Sequence, residues 1–177
     1  MSSPDDRPTE SAREVHEAKQ AMTRTVLLGA AGSGTSFAMA MRLRASFSGS
    51  VTIVGMDVNP PELIATSVLC DAMETVPPAS SPEFGDAIAA LMLRHGVDTY
   101  VPVLNEELEH AAALAARGDL DHVDLWSSPL AARLACDKSA VAAWLDDHGV
   151  PKPKDVSVSV APRDANVFVK PLSGTGS

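Results

Sequence analysis

Thr25-Val26-Leu27-Leu28-Gly29-Ala30-Ala31-Gly32-Ser33-Gly34-Thr35 is the stretch that decides the fold. A short β-branched and leucine run empties into a glycine-rich turn. The residues beyond it carry a helical pattern, with Phe37, Met41 and Ala45 on one stripe. Strand, glycine turn and helix in that order open a doubly wound α/β unit. The next strand is Val51-Thr52-Ile53-Val54-Gly55-Met56, with Asp57 at its C-terminal end. It is apolar on both faces, as a buried parallel strand must be.

The pattern then repeats. Asn59-Pro60-Pro61 breaks the chain, Glu62 to Leu69 predicts a short helix, and Glu74-Thr75-Val76 a third strand closed by Pro77-Pro78. Ser81-Pro82-Glu83 supplies a cap, a proline and an acid for the next helix start. Its buried stripe is Phe84, Ile88, Leu91 and Met92, and Gly96 ends it after His95. Thr99 to Leu104 is a fourth strand, followed by a helix capped by Asn105 that carries Leu108, Ala111, Ala112 and Ala115 and ends near Gly118. Val123 to Trp126 is a fifth strand, and Ser127-Ser128-Pro129 starts another helix. Strands alternating with helices imply a Rossmann-like, mostly parallel sheet with helices on both faces and right-handed crossovers. We divide the chain into a polar leader (1–22), this α/β domain (23–128), a helical connector (129–153) and the start of a further lobe (154–177).

Composition narrows the function. The 177 residues are 45% hydrophobic, which suits a globular chain and excludes a largely disordered one. Aromatics are only 4%, so the core is built from aliphatic residues and Met. A net charge of -9 argues against nucleic acid or an anionic membrane as the main partner. No apolar run approaches the ~20 residues of a membrane span. Cys70 and Cys136 have no metal or redox spacing and read as free cytosolic thiols, which places the chain in the cytoplasm. Whether Met1 or Met22 is the natural start is open.

Candidate sites fall in three places. The Gly29, Gly32 and Gly34 turn offers backbone N–H groups to a phosphate or carboxylate at a helix N-terminus, with Asp57 where a ribose-binding acid would stand. Its Gly-x-x-Gly-x-Gly spacing differs from the dinucleotide pattern, and such a turn also serves simply to bring helix and strand close. Asn105 and Glu106, with Glu107 and Glu109, follow the fourth strand at the edge where open α/β folds bind ligands, and can meet a substrate amine. An Asn cap with acids in the first turn is equally ordinary helix chemistry. The third place is the last part of the chain. Lys138 follows Asp137 in a first helical turn, where a lysine opposes the macrodipole and an anion nearby would explain it. Val141, Trp144 and Leu145 form that helix's buried face, ended by Gly149. Lys170 ends the Val167-Phe168-Val169 strand and precedes Ser173-Gly174-Thr175-Gly176-Ser177, a lysine and glycine loop suited to nucleotide phosphates. The histidines have no metal spacing, His95 and His148 sit structurally at helix ends, and no metal ligands are assigned.

From Thr25 to Ser177 the chain resembles the N-terminal part of ATP-grasp ligases of the carbamoyl-phosphate-synthase and biotin-carboxylase type. The resemblance lies in the Gly29 turn, Met56-Asp57-Val58-Asn59-Pro60, Val101-Pro102-Val103-Leu104-Asn105-Glu106-Glu107, Asp137-Lys138, Gly149-Val150-Pro151-Lys152-Pro153 and Phe168-Val169-Lys170-Pro171. It implies that residues 23–128 are a pre-ATP-grasp unit helping to shape a substrate site. It implies that Lys138 and Lys170 contact ATP phosphates, and that the loop from Ser173 to Ser177 closes over them. The parent would use ATP and Mg2+ to activate a small carboxylate as an acyl phosphate for attack by an amine, with homodimerisation left open. Asp155 to Asn166 is shorter than the family's corresponding stretch, and the sequence stops within the loop. We therefore expect a fragment of a ligase, inactive alone. The rival from another class is a stand-alone Rossmann-like nucleotide-binding module, and third comes a nicotinamide oxidoreductase.

Overall fold

The computed structural model describes residues 23–47, 49–127, 134, 137–154 and 166. It contains β1 (Arg24–Leu28), α1 (Gly34–Ser46), β2 (Val51–Asp57), β3 (Ala72–Thr75), α2 (Phe84–His95), β4 (Thr99–Val101), α3 (Asn105–Ala116), β5 (Asp124–Leu125) and α4 (Lys138–Asp147). All strand pairs are parallel, in the order β3-β2-β1-β4-β5. The sheet grows from β1 to one side and then resumes on the other. A crevice follows from that reversal, at the C-terminal edge between β1 and β4.

Alternation along the strands feeds two cores. Leu27, Val54, Met56 and Tyr100 point to the face covered by α2 and α3, packing with Phe84, Ile88, Leu91, Ala111 and Leu114. Val26, Leu28, Ile53 and Val101 point to the opposite face, against Ala40 of α1. The α/β architecture expected from the sequence is therefore observed, with helices on both faces.

Several local expectations need correction. In place of a helix over 62–69 there are two 3-10 turns, Pro61–Leu63 and Ala65–Leu69. The Thr66 hydroxyl donates to the carbonyl of Ala31 at 2.5 Å and ties this segment down to the glycine turn. The buried stripe of α1 is Ser36 and Ala40, whereas Met41 and Ala45 are exposed and Phe37 is half-buried. The Ser36 hydroxyl donates to the carbonyl of Gly29 at 2.6 Å and sets the helix rotation, so small residues face the sheet. On α3 the buried residues are Glu107, Ala111 and Leu114. Ala115 is exposed, and Leu104 rather than Asn105 occupies the cap position. Val141, Trp144 and Leu145 are only half-buried, and α4 contains no fully buried residue. The α2 stripe and the left-handed Gly96 behind it match the sequence reading.

Candidate functional site

The glycine turn leaves β1 at the crevice, and two carboxylates of the protein itself occupy it. Asp57, at the end of β2, accepts from the Gly32 N–H at 2.8 Å. Its other oxygen accepts from the Asn59 backbone N–H at 3.0 Å and side-chain amide at 2.9 Å. From the other side of the crevice, Glu107 accepts from the Ala30 N–H at 2.9 Å through Oε1. Its Oε2 takes the N–H groups of Val103 and Leu104, at 2.7 and 3.1 Å. Ala30 adopts a left-handed conformation, φ 39°, which aims its N–H at the carboxylate. Gly29 has to be glycine, because a Cβ there would overlap the Glu107 carboxylate. Glu107 thus joins the β1 turn to the loop after β4, across the point where doubly wound folds open for a ligand.

The electrostatics of Glu107 reflect two opposed effects. Burial of its side chain, only 3% exposed, pushes its pKa above the ordinary carboxylate value. The N–H groups of Val103, Leu104 and Ala30 pull it back, and the charge of Asp57 adds to the upward push. Close by, Tyr100 is fully buried, and its hydroxyl has no hydrogen-bond partner among the described residues. Burial and the Glu107 charge both hold that phenol in its neutral form.

Of the residues expected from sequence, Gly29, Gly32 and Asp57 come together in one site. Gly34 starts α1 on the exposed side of the turn, beyond Ser33, whose hydroxyl caps the Ser36 N–H. Asn105 and Glu106 are half-buried at the start of α3, while their neighbour Glu107 turns inward. The sequence reading placed Glu107 beside Asn105 and Glu106 as a contact for a substrate amine or an ordinary first-turn acid, and did not foresee its inward bonds to Ala30, Val103 and Leu104. Lys138 is the half-buried first residue of α4, behind an Asp137 cap that accepts from Ser139 N at 2.8 Å and Ala140 N at 3.2 Å. Lys170 and Ser173 to Ser177 lie outside the described residues. Among the described residues, no group of three or more His, Cys, Asp or Glu could hold a metal ion.

A five-stranded parallel sheet whose switch-point crevice is closed by its own carboxylates defines the class: a Rossmann-like α/β domain with a filled glycine turn. No protein-family model matches the chain, and no curated protein matches it in sequence. Among solved structures it is similar to the biotin carboxylase domain dimer of Hydrogenobacter thermophilus 2-oxoglutarate carboxylase, in complex with MgADP, ADP and bicarbonate. The TM-score is 0.55 with 19% identity, over 73% of this chain and 28% of that one. It is also similar to the biotin carboxylase domain of a single-chain bacterial carboxylase, with TM-score 0.54, 20% identity, and 78% and 32% of the two chains covered. The bicarbonate-bound biotin carboxylase domain of thermophilic 2-oxoglutarate carboxylase gives TM-score 0.54, 19% identity, and coverage of 73% and 29%. The likeness is one of fold, and the chain spans between 28% and 32% of those chains.

Proposed function

We propose that this chain is the N-terminal part of an ATP- and Mg2+-dependent ligase of the ATP-grasp class. The observation that carries the reading is the sheet, whose likeness to biotin carboxylase domains extends over about three-quarters of the chain (73% and 78%). The filled glycine turn supports it further, because Glu107 and Asp57 hold the N–H groups that a dinucleotide pyrophosphate would need. That weighs against a nicotinamide enzyme.

In this reading residues 23–128 are the pre-ATP-grasp domain, 129–153 a connector and 154–177 the beginning of the ATP-binding lobe. The parent activates a small carboxylate as an acyl phosphate, which an amine or similar nucleophile attacks; bicarbonate, bound in two of the similar structures, is the first candidate carboxylate. Lys138 and Lys170 hold ATP phosphates under the loop from Ser173 to Ser177, and Gly34, Asn105 and Glu106 face the substrate side. Bound Mg2+ would supply charge neutralisation for the phosphoryl group transferred. The parent works in the cytoplasm, and the dimer of one similar structure makes a homodimer the first assembly to test.

Carboxylate-dependent ADP release by the protein encoded in the complete reading frame tests this. We expect bicarbonate or another small carboxylate to stimulate release, Lys138→Ala and Lys170→Ala to weaken ATP binding without unfolding the domain, and the 177-residue chain alone to release no ADP above a blank. Tight NADH binding with no ATP binding would overturn the reading.

A further inference from the structure

A groove of about 680 Å3 runs along α1 from the exposed side of the glycine turn, and its described lining is Gly34, Thr35, Ala38, Met39, Arg42, Leu43, Ser46, Phe47 and Trp126. Its origin is topological. Crossovers leading toward β3 lie on the α1 face, and those leading toward β5 lie on the other. The α1 side of the β4–β5 half is therefore left without a covering helix among the described residues. Phe47 and Trp126 stand 55% and 66% exposed at its walls. Arg42 is the sole charged group of the lining, and it has no ion pair or hydrogen bond among the described residues. At the upper end the Ser33 hydroxyl accepts the N–H of Ser36, and the first two helical residues, Gly34 and Thr35, whose N–H groups have no partner within the helix, line the groove.

The geometry points to a binding site for a small amphipathic anion, its apolar body between Leu43, Phe47 and Trp126 and its carboxylate toward Arg42 and the Gly34–Thr35 amides. Size favours a small molecule: sites of ~300–1,000 Å3 hold drug-sized ligands, whereas a stable protein interface needs about 20–30 residues a side. A second copy of the chain is disfavoured by charge as well. A two-fold contact through this groove would set Arg42 against its own copy, and no carboxylate is among the described lining residues to compensate. An anion complements it.

The test is a titration of the 177-residue chain with octanoate, indole-3-acetate and, as a neutral control, 1-octanol. Trp126 fluorescence is followed in a Trp144→Phe background, with amide shifts of Gly34 and Thr35 recorded alongside. Saturable binding of either carboxylate is expected, with shifts at both amides; octanoate against indole-3-acetate separates an acyl from an aromatic ligand. Arg42→Gln should weaken the carboxylate roughly fivefold and leave octanol unchanged. Phe47→Asp, at an exposed position that tolerates charge, should abolish binding while the circular-dichroism melt stays the same. The proposal is overturned if octanol binds as well as octanoate, or if Trp126 does not respond to either carboxylate. A dimer by sedimentation that Phe47→Asp dissolves would overturn it as well.

Discussion

The carboxylate of Glu107 lies against Gly29 so closely that position 29 cannot carry a side chain. The residues that meet across this crevice are 77 apart in sequence for the neighbouring Ala30–Glu107 bond, and Glu107 also holds Val103 and Leu104. One buried acid therefore satisfies three backbone donors from two loops. Removing it would strand those donors away from water, which is costlier than never having made the bonds.

Glu107→Ala should accordingly destabilise the domain by about 2–4 kcal/mol, the range for stranding buried donors plus a small cavity. Glu107→Gln should fall between, because its amide group turns a donor toward at least one backbone N–H. Urea unfolding of the three proteins measures this. An alanine variant as stable as the parent would refute the stapling role.

Gly29→Ala should cost roughly 2–3 kcal/mol in the parent, as overpacking against a fixed group does. In a Glu107→Ala background most of that penalty should vanish, since the overlapping group is gone. A double-mutant cycle reads the coupling directly. Additive penalties would show that the Gly29 requirement comes from something other than Glu107.

The pH dependence has two opposed parts. Glu107 has a raised pKa, chiefly from burial, so the native state holds its proton more tightly than the unfolded chain does. Its contribution is greatest below the unfolded carboxylate pKa and declines as pH rises toward the folded value. At Asp71 burial works upward but is outweighed by bonds from the Ile53 N–H and Arg44, so its pKa is lowered. Its contribution is present above the unfolded pKa and disappears as pH falls through the lower folded one. Stability measured across the acid range should therefore lose its high-pH decline in Glu107→Gln and its low-pH loss in Asp71→Asn. Unchanged profiles in both variants would contradict these assignments.

Tyr100→Phe should leave stability unchanged or raise it by up to about 1 kcal/mol. The hydroxyl is fully buried with no partner among the described residues, so it carries a desolvation cost without a compensating bond. A loss of more than about 1 kcal/mol on thermal unfolding would reveal a partner for it.

Cys70 should react slowly with disulfide reagents at pH 8. Burial raises its thiol to about 11, an effect that the nearby Arg44 only partly offsets. The thiolate is the reactive form. Ellman kinetics on a Cys136→Ser variant isolate this thiol. Reaction at the rate of a free peptide cysteine would mean that Cys70 is far more accessible than its packing against β2 indicates.

Apart from the segment 62–69, the sequence by itself determined the order and type of the described elements: a glycine turn after β1, a β2 apolar on both faces, a stripe on α2 and a left-handed glycine behind it. These are legible because each is a local pattern, set by the spacing of apolar residues and by the few residues that tolerate a turn. The parallel sheet follows from their alternation. The inward rotation of Glu107, the use of Asp57 to hold Gly32, and the face of α1 that meets the sheet were decided only by tertiary structure. An acid three residues after Leu104 fits an exposed helix start as well as a buried staple, so local chemistry could not separate the two. The difference lies in Ala30 and Gly29, which are near Glu107 only once β1 and β4 are paired. Likewise the apolar Phe37 and Met41 suggested one face of α1, but the hydroxyl of Ser36 bonding to Gly29 fixed another. A hydrogen bond to a buried carbonyl fixes a helix's rotation more sharply than side-chain hydrophobicity does, because it is satisfied at one angle alone.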